Sequence, residues 1–328
     1  MPSHSTHPTR RRFGIAVAAA LATPAVRAQE WPSKPIRFVV PYPPGGFTDV
    51  TARLIGQKLG ERLGQPVVVD NKPGANGTIG VTDLARAPAD GHHFAVVIAA
   101  HAANPALYAK LPYDARDLAA VSLIGVSPLV AAANNDAPFQ TAKELVAYAK
   151  ANPGKVSFGS SGNGSAAHLT TELLKSVTGT HMVHIPYRGA AAAMQDLMGG
   201  QIQLLFDAAS GVIAPGKAGK VRLIGVAAER RLPMLPDVPT FAEQGVAGFT
   251  GSTWAGLIAP ARTPPATVKR VADEVARIVR QDDIKARLEE MGTLPAGSTP
   301  AEFAAFIDVE SEKWGKVFVK RLAWWRAS

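Results

Sequence analysis

The chain has 328 residues, more than one ordinary domain and suited to two domains of roughly 100–200 residues each. With 47% hydrophobic and 19% charged residues, it can bury a large core and is not a disordered protein. The absence of cysteine excludes disulfides, cysteine-ligated metal centres and thiol nucleophiles. The formal charge of +9 favours a nucleic-acid partner only if the basic residues are clustered.

Residues 1–28 predict an export signal. Three arginines at 10–12 precede a short apolar run at 14–22, and small residues lead up to Ala28. This run is too short to span a bilayer, which takes about 20 residues. The paired arginines before Phe13 resemble a twin-arginine signal, and a general secretory signal is the alternative. We therefore expect a periplasmic protein, cleaved after about Ala28.

Removal of this signal changes the charge balance. It takes away four arginines and no acidic residue, which leaves 31 basic against 26 acidic side chains, a surplus of +5. The remaining basic residues alternate with acidic ones, for example between Lys269 and Arg287, as on solvated helix faces. The sequence therefore predicts no nucleic-acid partner.

Short apolar strands alternate with amphipathic helices along the mature chain. In chain order, strands are predicted at 36–40, 66–69, 94–98, 121–125, 129–132, 156–158, 181–185, 203–206 and 221–226. Helices are predicted at 48–63, 78–86, 141–150, 165–177, 189–198, 267–281, 283–291 and 300–316. This alternation is typical of an α/β protein whose mainly parallel sheets are covered by helices on both faces.

Two glycine-rich turns, one in each half of the chain, connect a strand to a helix. The first is VPYPPGGFTD at 40–49, and the second is FGSSGNGS at 158–165. Glycine lets a ligand approach the backbone, and the amides and dipole of a helix N-terminus favour an anion. Thr48 and Ser165 are alternatively ordinary N-caps, with glycine and proline as turn residues. Because such a turn occurs in both halves, we interpret the pair as an anion-binding site.

Other sites of chemistry find little support. The glycines of the second turn are not in the order of a dinucleotide fingerprint, and the chain lacks P-loop, nucleophile-elbow and His-Glu-x-x-His motifs. His181 and His184 are three apart on a predicted strand and should face opposite sides. We therefore predict no cofactor, no metal site and no enzymatic activity.

Several motifs in series resemble the substrate-binding proteins of tripartite tricarboxylate transporters, the Bug family. They occur in the family's order at 34–49, 71–80, 158–168, 184–189, 199–207, 235–240 and 254–260. The resemblance implies a periplasmic binding protein of two α/β lobes that close on a ligand like a flytrap. Lobe 1 would comprise residues 31–127 and 256–328, and lobe 2 residues 128–255, with crossovers near 127–128 and 254–256.

The resemblance also implies a ligand site between the lobes. In this family, the two turns hold a carboxylate through backbone amides, hydroxyls and bridging water. The expected ligand-binding residues are Gly46, Phe47, Thr48 and Asp49 in lobe 1, Ser160, Asn163, Gly164 and Ser165 in lobe 2, and Tyr42, His101 and Asp207 as further candidates.

Four of these residues have alternative interpretations. Phe47 stands where the family usually has a small residue, so the cleft is either narrower or suited to an aromatic acid. His101 either contacts the distal end of the ligand or is a solvated loop residue. Asp207 either faces the cleft or caps the following turn. Asp49 either pairs with Arg53, holds a bridging water, or accepts from a ligand ammonium or hydroxyl.

The expected function is that of a monomeric extracytoplasmic solute-binding protein that delivers an organic acid to a membrane permease of a tripartite tricarboxylate transporter. The acid is a di- or tricarboxylate, an acidic amino acid or an aromatic carboxylate. One alternative is a ligand-sensing protein for a signalling partner. The other is an exported hydrolase that uses His101 or His168 with Asp207. The role of the aromatic and basic residues 318–326 is left open.

Overall fold

The computed structural model describes residues 31–325, with side chains to Gly315, and two isolated positions near the N-terminus. The predicted export signal and its cleavage site lie outside the described residues. The side chains of the aromatic and basic tail do so as well. No helix in the described part of the chain is both long and apolar enough to cross a membrane.

The described residues alternate strands and helices through most of their length. The strands are β1 (Ile36–Val40), β2 (Val67–Asn71), β3 (His93–Ile98), β4 (Leu118–Ala133), β5 (Ser157–Ser160), β6 (Val183–Pro186), β7 (Leu204–Ala208), β8 (Arg222–Val226), β9 (Ser252–Pro260) and β10 (Leu294–Pro295). The helices are α1 (Phe47–Leu63), α2 (Thr78–Ala85), α3 (Ala100–Leu107), α4 (Ala142–Ala151), α5 (Ala166–Thr178), α6 (Ala190–Met198), α7 (Ala209–Lys217), α8 (Pro265–Ile278), α9 (Asp282–Glu290) and α10 (Pro300–Trp325).

Both halves of the structure contain a group of three parallel strands. β1 lies between β2 and β3, and β5 lies between β6 and β7. β9 joins β3 to β4 in antiparallel fashion, and β4 also runs antiparallel to β7, β8 and β10. The α/β class is confirmed, and the expected parallel pairing holds within each group. The sheet as a whole is mixed, because the strands that connect the two groups run against their neighbours.

β4 belongs to both groups of strands. Its residues 118–128 pair with β9, and its residues 129–133 pair with β7 and β8. The sequence predicted two strands here, separated near Pro128, and the structure has one strand of 16 residues. The Pro128–Ser252 pair is the last of the β4–β9 ladder, where a residue without an N–H group is tolerated.

Three further elements differ from the sequence prediction. α3 and α7 contain Pro105 and Pro215, and each proline obscures the helical pattern. β9 occupies Ser252–Pro260, where the sequence prediction places no strand. These elements matter because α3 and α7 follow strands whose ends face the candidate site.

The last helix is fastened to the core by buried tryptophans. Trp314 of α10 is fully buried and packs against Leu107 of α3 and Leu169 of α5. Its Nε1 donates to Glu310 at 3.1 Å, and Nε1 of Trp254 in β9 donates to the same carboxylate oxygen at 3.3 Å. α10 thus contacts elements from both groups of strands.

Gly256 of β9 offers a test of how tightly this region packs. A Cβ atom here would overlap the ring of Phe303, which is fully buried against Trp254. We expect Gly256→Ala to lower the free energy of unfolding by about 1–3 kcal/mol, because the ring has no space to move into. Denaturant unfolding measures the change.

Gly315→Ala is the matched control for that substitution. Among the described atoms outside the backbone of the helix itself, none lies within 4 Å of a Cβ added at this position. The control should be neutral or stabilising by up to roughly 1 kcal/mol, since alanine favours a helix over glycine. Equal stability of the two variants would contradict the packing described around Phe303.

Candidate functional site

Two sets of helix N-termini face each other in the structure. α1, α2 and α3 begin at the carboxyl ends of β1, β2 and β3, and α5, α6 and α7 begin at those of β5, β6 and β7. The two edges meet where Gly164 lies against Leu107 and Asn76. A second contact places Gly189 beside Pro43, with 3.7 Å between the proline Cγ and a Cβ built on the glycine. The region between these contacts is the candidate cleft.

Most of these helices begin without a side-chain cap. Within the described residues, only α5 has one, where Ser165 Oγ accepts from the amide of His168 at 3.3 Å. The other five start after glycine or alanine, at Gly46, Gly77, Ala99, Gly189 and Ala208. The amides of an uncapped first turn have no intrahelical acceptor and are open to an external anion, except at α2, where the amide of Thr78 already donates to Ala75 O in the preceding turn.

Asp49 holds the first turn in shape. Its carboxylate accepts from Gly45 N at 2.9 Å, Arg53 Nε at 3.1 Å and Asn71 Nδ2 at 3.0 Å. Burial alone would raise the pKa of Asp49, and the hydrogen bonds from Arg53, Gly45 and Asn71 outweigh it and lower the pKa. Of the alternatives for Asp49, the structure contains the pairing with Arg53.

The remaining candidates of the first turn line the same edge. Thr48 is buried in the first turn of α1, and Phe47 is half-buried against the two largest apolar clusters. The hydroxyl of Tyr42 lies beside Gly77, and burial raises the pKa of this tyrosine well above its usual range. Gly46 is the residue that precedes α1. Tyr42 and Phe47 therefore place two partly buried aromatic rings at this edge, both packed against the core.

His101 lies in the first turn of α3 rather than in a solvated loop, which corrects that alternative. Its ring stacks on Tyr113 with 6.4 Å between centroids and 14° between planes. Its Nδ1 is buried and has no hydrogen-bond partner within the described residues. Burial lowers the pKa of His101 to about 4, so the imidazole is neutral at neutral pH. Whether it contacts a ligand remains a prediction.

In the second turn, the hydroxyl of Ser160 is used within the protein. Ser160 is fully buried, and its Oγ lies 2.7 Å from His184 Nε2 and within 3.1 Å of both N and O of Gly162. A buried serine with these contacts is not an exposed nucleophile. Its contribution to the cleft is to fix the path of the turn.

At the end of the second turn, some polar groups already form hydrogen bonds within the protein and others are available to a ligand. The amide of Gly164 donates to His168 Nδ1 at 3.0 Å, so it is already satisfied. The hydroxyl of Ser165 accepts a bond as N-cap and keeps its own proton for another acceptor. Asn163 is exposed, and no hydrogen bond joins its side chain to other described residues. The sequence pointed to His168 only in the hydrolase alternative, and its bond to Gly164, four residues away in the same motif, was not predicted.

Asp207 ends β7 directly before α7. Its Oδ1 accepts from the amide of Ala208 at 2.8 Å, and Oδ2 has no hydrogen bond within the described residues. Burial raises the pKa of Asp207 to about 6. Both interpretations of this residue therefore have support, since one oxygen binds the following turn and the other remains unused.

Solved structures and a family model match this architecture. The alkanesulfonate-binding protein SsuA from Xanthomonas axonopodis pv. citri superposes with a TM-score of 0.52 at 14% identity, over 86% of this chain and 83% of that chain, which shows the two-lobed fold alone. Residues 51–322 match the family model described as "Tripartite tricarboxylate transporter family receptor". The chain belongs to this family and is a solute-binding receptor of the tripartite transporter type.

Individual relatives agree with this assignment. Protein BugT of Bordetella pertussis is 34% identical over 308 residues, which cover 93% of this chain and 94% of BugT. R. palustris Rpa4515, solved with adipate, is 34% identical with a TM-score of 0.84, over 88% of this chain and 97% of that one. MatC from Rhodopseudomonas palustris, solved with malate, is 32% identical with a TM-score of 0.81, over 88% and 99%. The family resemblance in the sequence is confirmed.

The Asp49 contacts generate a stability prediction. Asp49→Asn removes the charge that Arg53 pairs with, and we expect a loss of about 1–3 kcal/mol in the free energy of unfolding at neutral pH. The folded-state pKa of Asp49 is lowered, so its stabilisation is present above the unfolded pKa and disappears as pH falls through the folded pKa. Denaturant unfolding at neutral and acidic pH should show the gap between wild type and variant closing on acidification.

Asp273→Asn is the control for Asp49→Asn. Asp273 forms an exposed pair with Lys269 at 2.8 Å on α8. We expect its removal to change stability by less than about 1 kcal/mol, because water screens an exposed pair. A loss as large as that of Asp49→Asn would show that lost charge, and not the buried hydrogen bonds, causes the effect.

Proposed function

We propose that this protein acts in the periplasm, where it binds a small organic carboxylate between its two sets of helix N-termini and delivers it to a membrane permease. The observation that carries the proposal is the row of five uncapped helix starts around one cleft. Backbone amides there stabilise an anion without a basic side chain. The adipate and malate in the solved relatives support a carboxylate as the ligand class.

In the division proposed from the sequence, lobe 1 comprises residues 31–127 and 256–328, and lobe 2 comprises residues 128–255. The strand pairing supports the first boundary of the proposed lobes. It favours a second boundary before Ser252 instead of at 254–256, because β9 pairs along its whole length with β3 and with residues 118–128 of β4. β4 changes partners from β9 to β7 and β8 at residues 128–129, which supports a hinge at this point. A ligand that bridges the two lobes favours the closed state over the open one.

The candidate residues fall into two groups, according to whether their polar atoms already form hydrogen bonds within the protein. We assign ligand contact to the amides of Phe47 and Thr48 in lobe 1 and to Asn163 and the Ser165 hydroxyl in lobe 2. The groups that shape the turns are Asp49, Ser160 and Gly164, whereas Gly46 only accepts the first helical bond of α1 from Val50 N. This assignment rests on the hydrogen bonds that the shaping residues already make within the chain.

Tyr42, His101 and Asp207 are assigned to the distal part of the ligand. A neutral His101 supplies a hydrogen bond and no positive charge. A carboxylate with a pKa of about 6 is mainly ionised at neutral pH, so Asp207 repels a second carboxylate and accepts from a hydroxyl or ammonium. These groups favour a hydroxy or amino acid, and the aromatic ring of Phe47 allows an apolar body.

Export is part of the proposal. Residues 1–28 are the signal, with a twin-arginine pattern and cleavage after about Ala28. The mature protein would act as a monomer. N-terminal sequencing of the secreted protein identifies the cleavage site, and loss of export after replacement of both Arg11 and Arg12 by lysine would separate the twin-arginine route from the general one.

A thermal-shift screen tests the ligand class. We expect one or more organic acids to raise the melting temperature with increasing concentration, since a ligand that binds only the folded state stabilises it. The panel should include adipate, malate, amino acids, hydroxy acids and aromatic carboxylates, with neutral sugars as controls. Stabilisation by sugars and by none of the acids would overturn the proposal.

A charge placed at Asn163 tests the position of the cleft. Asn163→Asp introduces a negative charge of nearly the same shape beside the α5 N-terminus, and we expect the affinity for the stabilising acid to fall at least about tenfold. Asn163→Leu is the matched neutral control and should cost less, because it removes hydrogen bonds without repelling the ligand. Calorimetric affinities measure both, and unchanged affinity in Asn163→Asp would place the carboxylate elsewhere.

A further inference from the structure

Two stacked histidines hold the second turn through hydrogen bonds to two of its residues. The rings of His168 on α5 and His184 on β6 lie 4.0 Å apart between centroids and 14° from parallel. Phe158 of β5 stacks on His184 at 4.9 Å. Each histidine bonds a different point of the turn, His184 at Ser160 and His168 at Gly164. The pair therefore joins the turn to the strands and the helix on either side of it.

The bond to Gly164 fixes the protonation of His168. A backbone amide only donates, so Nδ1 of His168 must be the acceptor and carries no proton. The ring in this state is neutral, with its proton on Nε2. A second proton on Nδ1 would place two donors against each other and break the bond to Gly164. His168 is also buried at 3% exposure, where a charged ring is costly.

The charged groups around the two histidines have opposing effects on the protonation of His168. Glu172 Oε1 lies 3.9 Å from His168 Nε2 and favours a positive ring, but Lys175 binds the same carboxylate oxygen at 2.8 Å and offsets it. The stacked His184 opposes a second positive ring through like-charge repulsion at short range. Other titratable groups on elements packed against α5 are Asp207 on β7, His101 on α3, and Glu310, Glu312 and Lys313 on α10.

We propose that His168 is a positioning residue for ligand binding, and that only its neutral form, stacked on His184, holds the second turn in the binding shape. The inference rests on the proposed carboxylate site and deepens it. Uptake of a proton by His168 releases Gly164, and the turn then loses the geometry in which Asn163 and Ser165 face the cleft. Affinity for the carboxylate is therefore linked to pH through this one ring.

The first test follows the turn itself and needs no ligand. In NMR spectra of the mature protein between pH 8 and 5, we expect the Gly164 amide resonance to move together with the titration of the His168 ring nitrogens. His168→Asn places an amide oxygen near the position of Nδ1, keeps the acceptor and cannot titrate in this range. The Gly164 resonance of this variant should stay constant over the same range.

The second test measures affinity with adipate and malate as probes. Below the pKa of His168, the dissociation constant of wild type should rise by about tenfold per pH unit, as one linked proton requires. His168→Asn should lose this slope, and His168→Leu should bind at least about tenfold more weakly already at pH 8. Titration of the probe itself is the same for all variants, so the difference between them isolates His168.

His181→Gln is the control for a histidine without this role. His181 is exposed and lies just before β6, so its removal should leave the wild-type pH profile unchanged. An unfolding transition recorded for each variant separates loss of fold from loss of binding. A His168→Asn variant with the wild-type slope, or a folded His168→Leu variant with wild-type affinity at pH 8, would overturn the inference. If neither probe binds, the carboxylate proposal loses support, while the Gly164 titration still decides the role of His168.

Discussion

The directionality of the parallel strand–helix unit is the constraint on which the site depends. A helix that follows a parallel strand begins at the strand's carboxyl end, so three such units place three N-termini along one edge. The structure contains two of these groups and turns their edges toward each other. Because glycine or alanine precedes most of these helices, the backbone itself supplies the donors. An anion receptor of this proposed design needs neither a large charge surplus nor clustered lysines.

The two turns at the cleft use their own side chains mainly to hold their shape. Asp49 binds the first turn and Asn71 of the neighbouring strand, and Ser160 and Gly164 bind the two stacked histidines. This arrangement explains how a carboxylate such as Asp49 can stand close to the proposed anion site. Its negative charge is balanced by Arg53 and by amide donors before any ligand arrives.

Much of the fold could be predicted from the sequence, because regular apolar spacing identified α1, α2, α4 and α5 nearly to their ends. β4 was divided into two strands at Pro128, since proline usually argues against a strand interior. α3 was missed because Ala99 gives no cap signal and Pro105 interrupts the helix. The turns themselves were found, but the pairing of Ser160 with His184 was not. These two residues lie 24 positions apart, and only the register of β5 with β6 brings them together.

The carboxylate of Glu310, which accepts from two tryptophans, limits how far the chain can be shortened at its C-terminal end. Two indole N–H groups, one from a central strand and one from the final helix, depend on this single acceptor. A chain shortened before Glu310 would leave the Trp254 donor buried without a partner and remove the indole that fills the space between α3 and α5. The minimal folding unit therefore extends at least through Trp314.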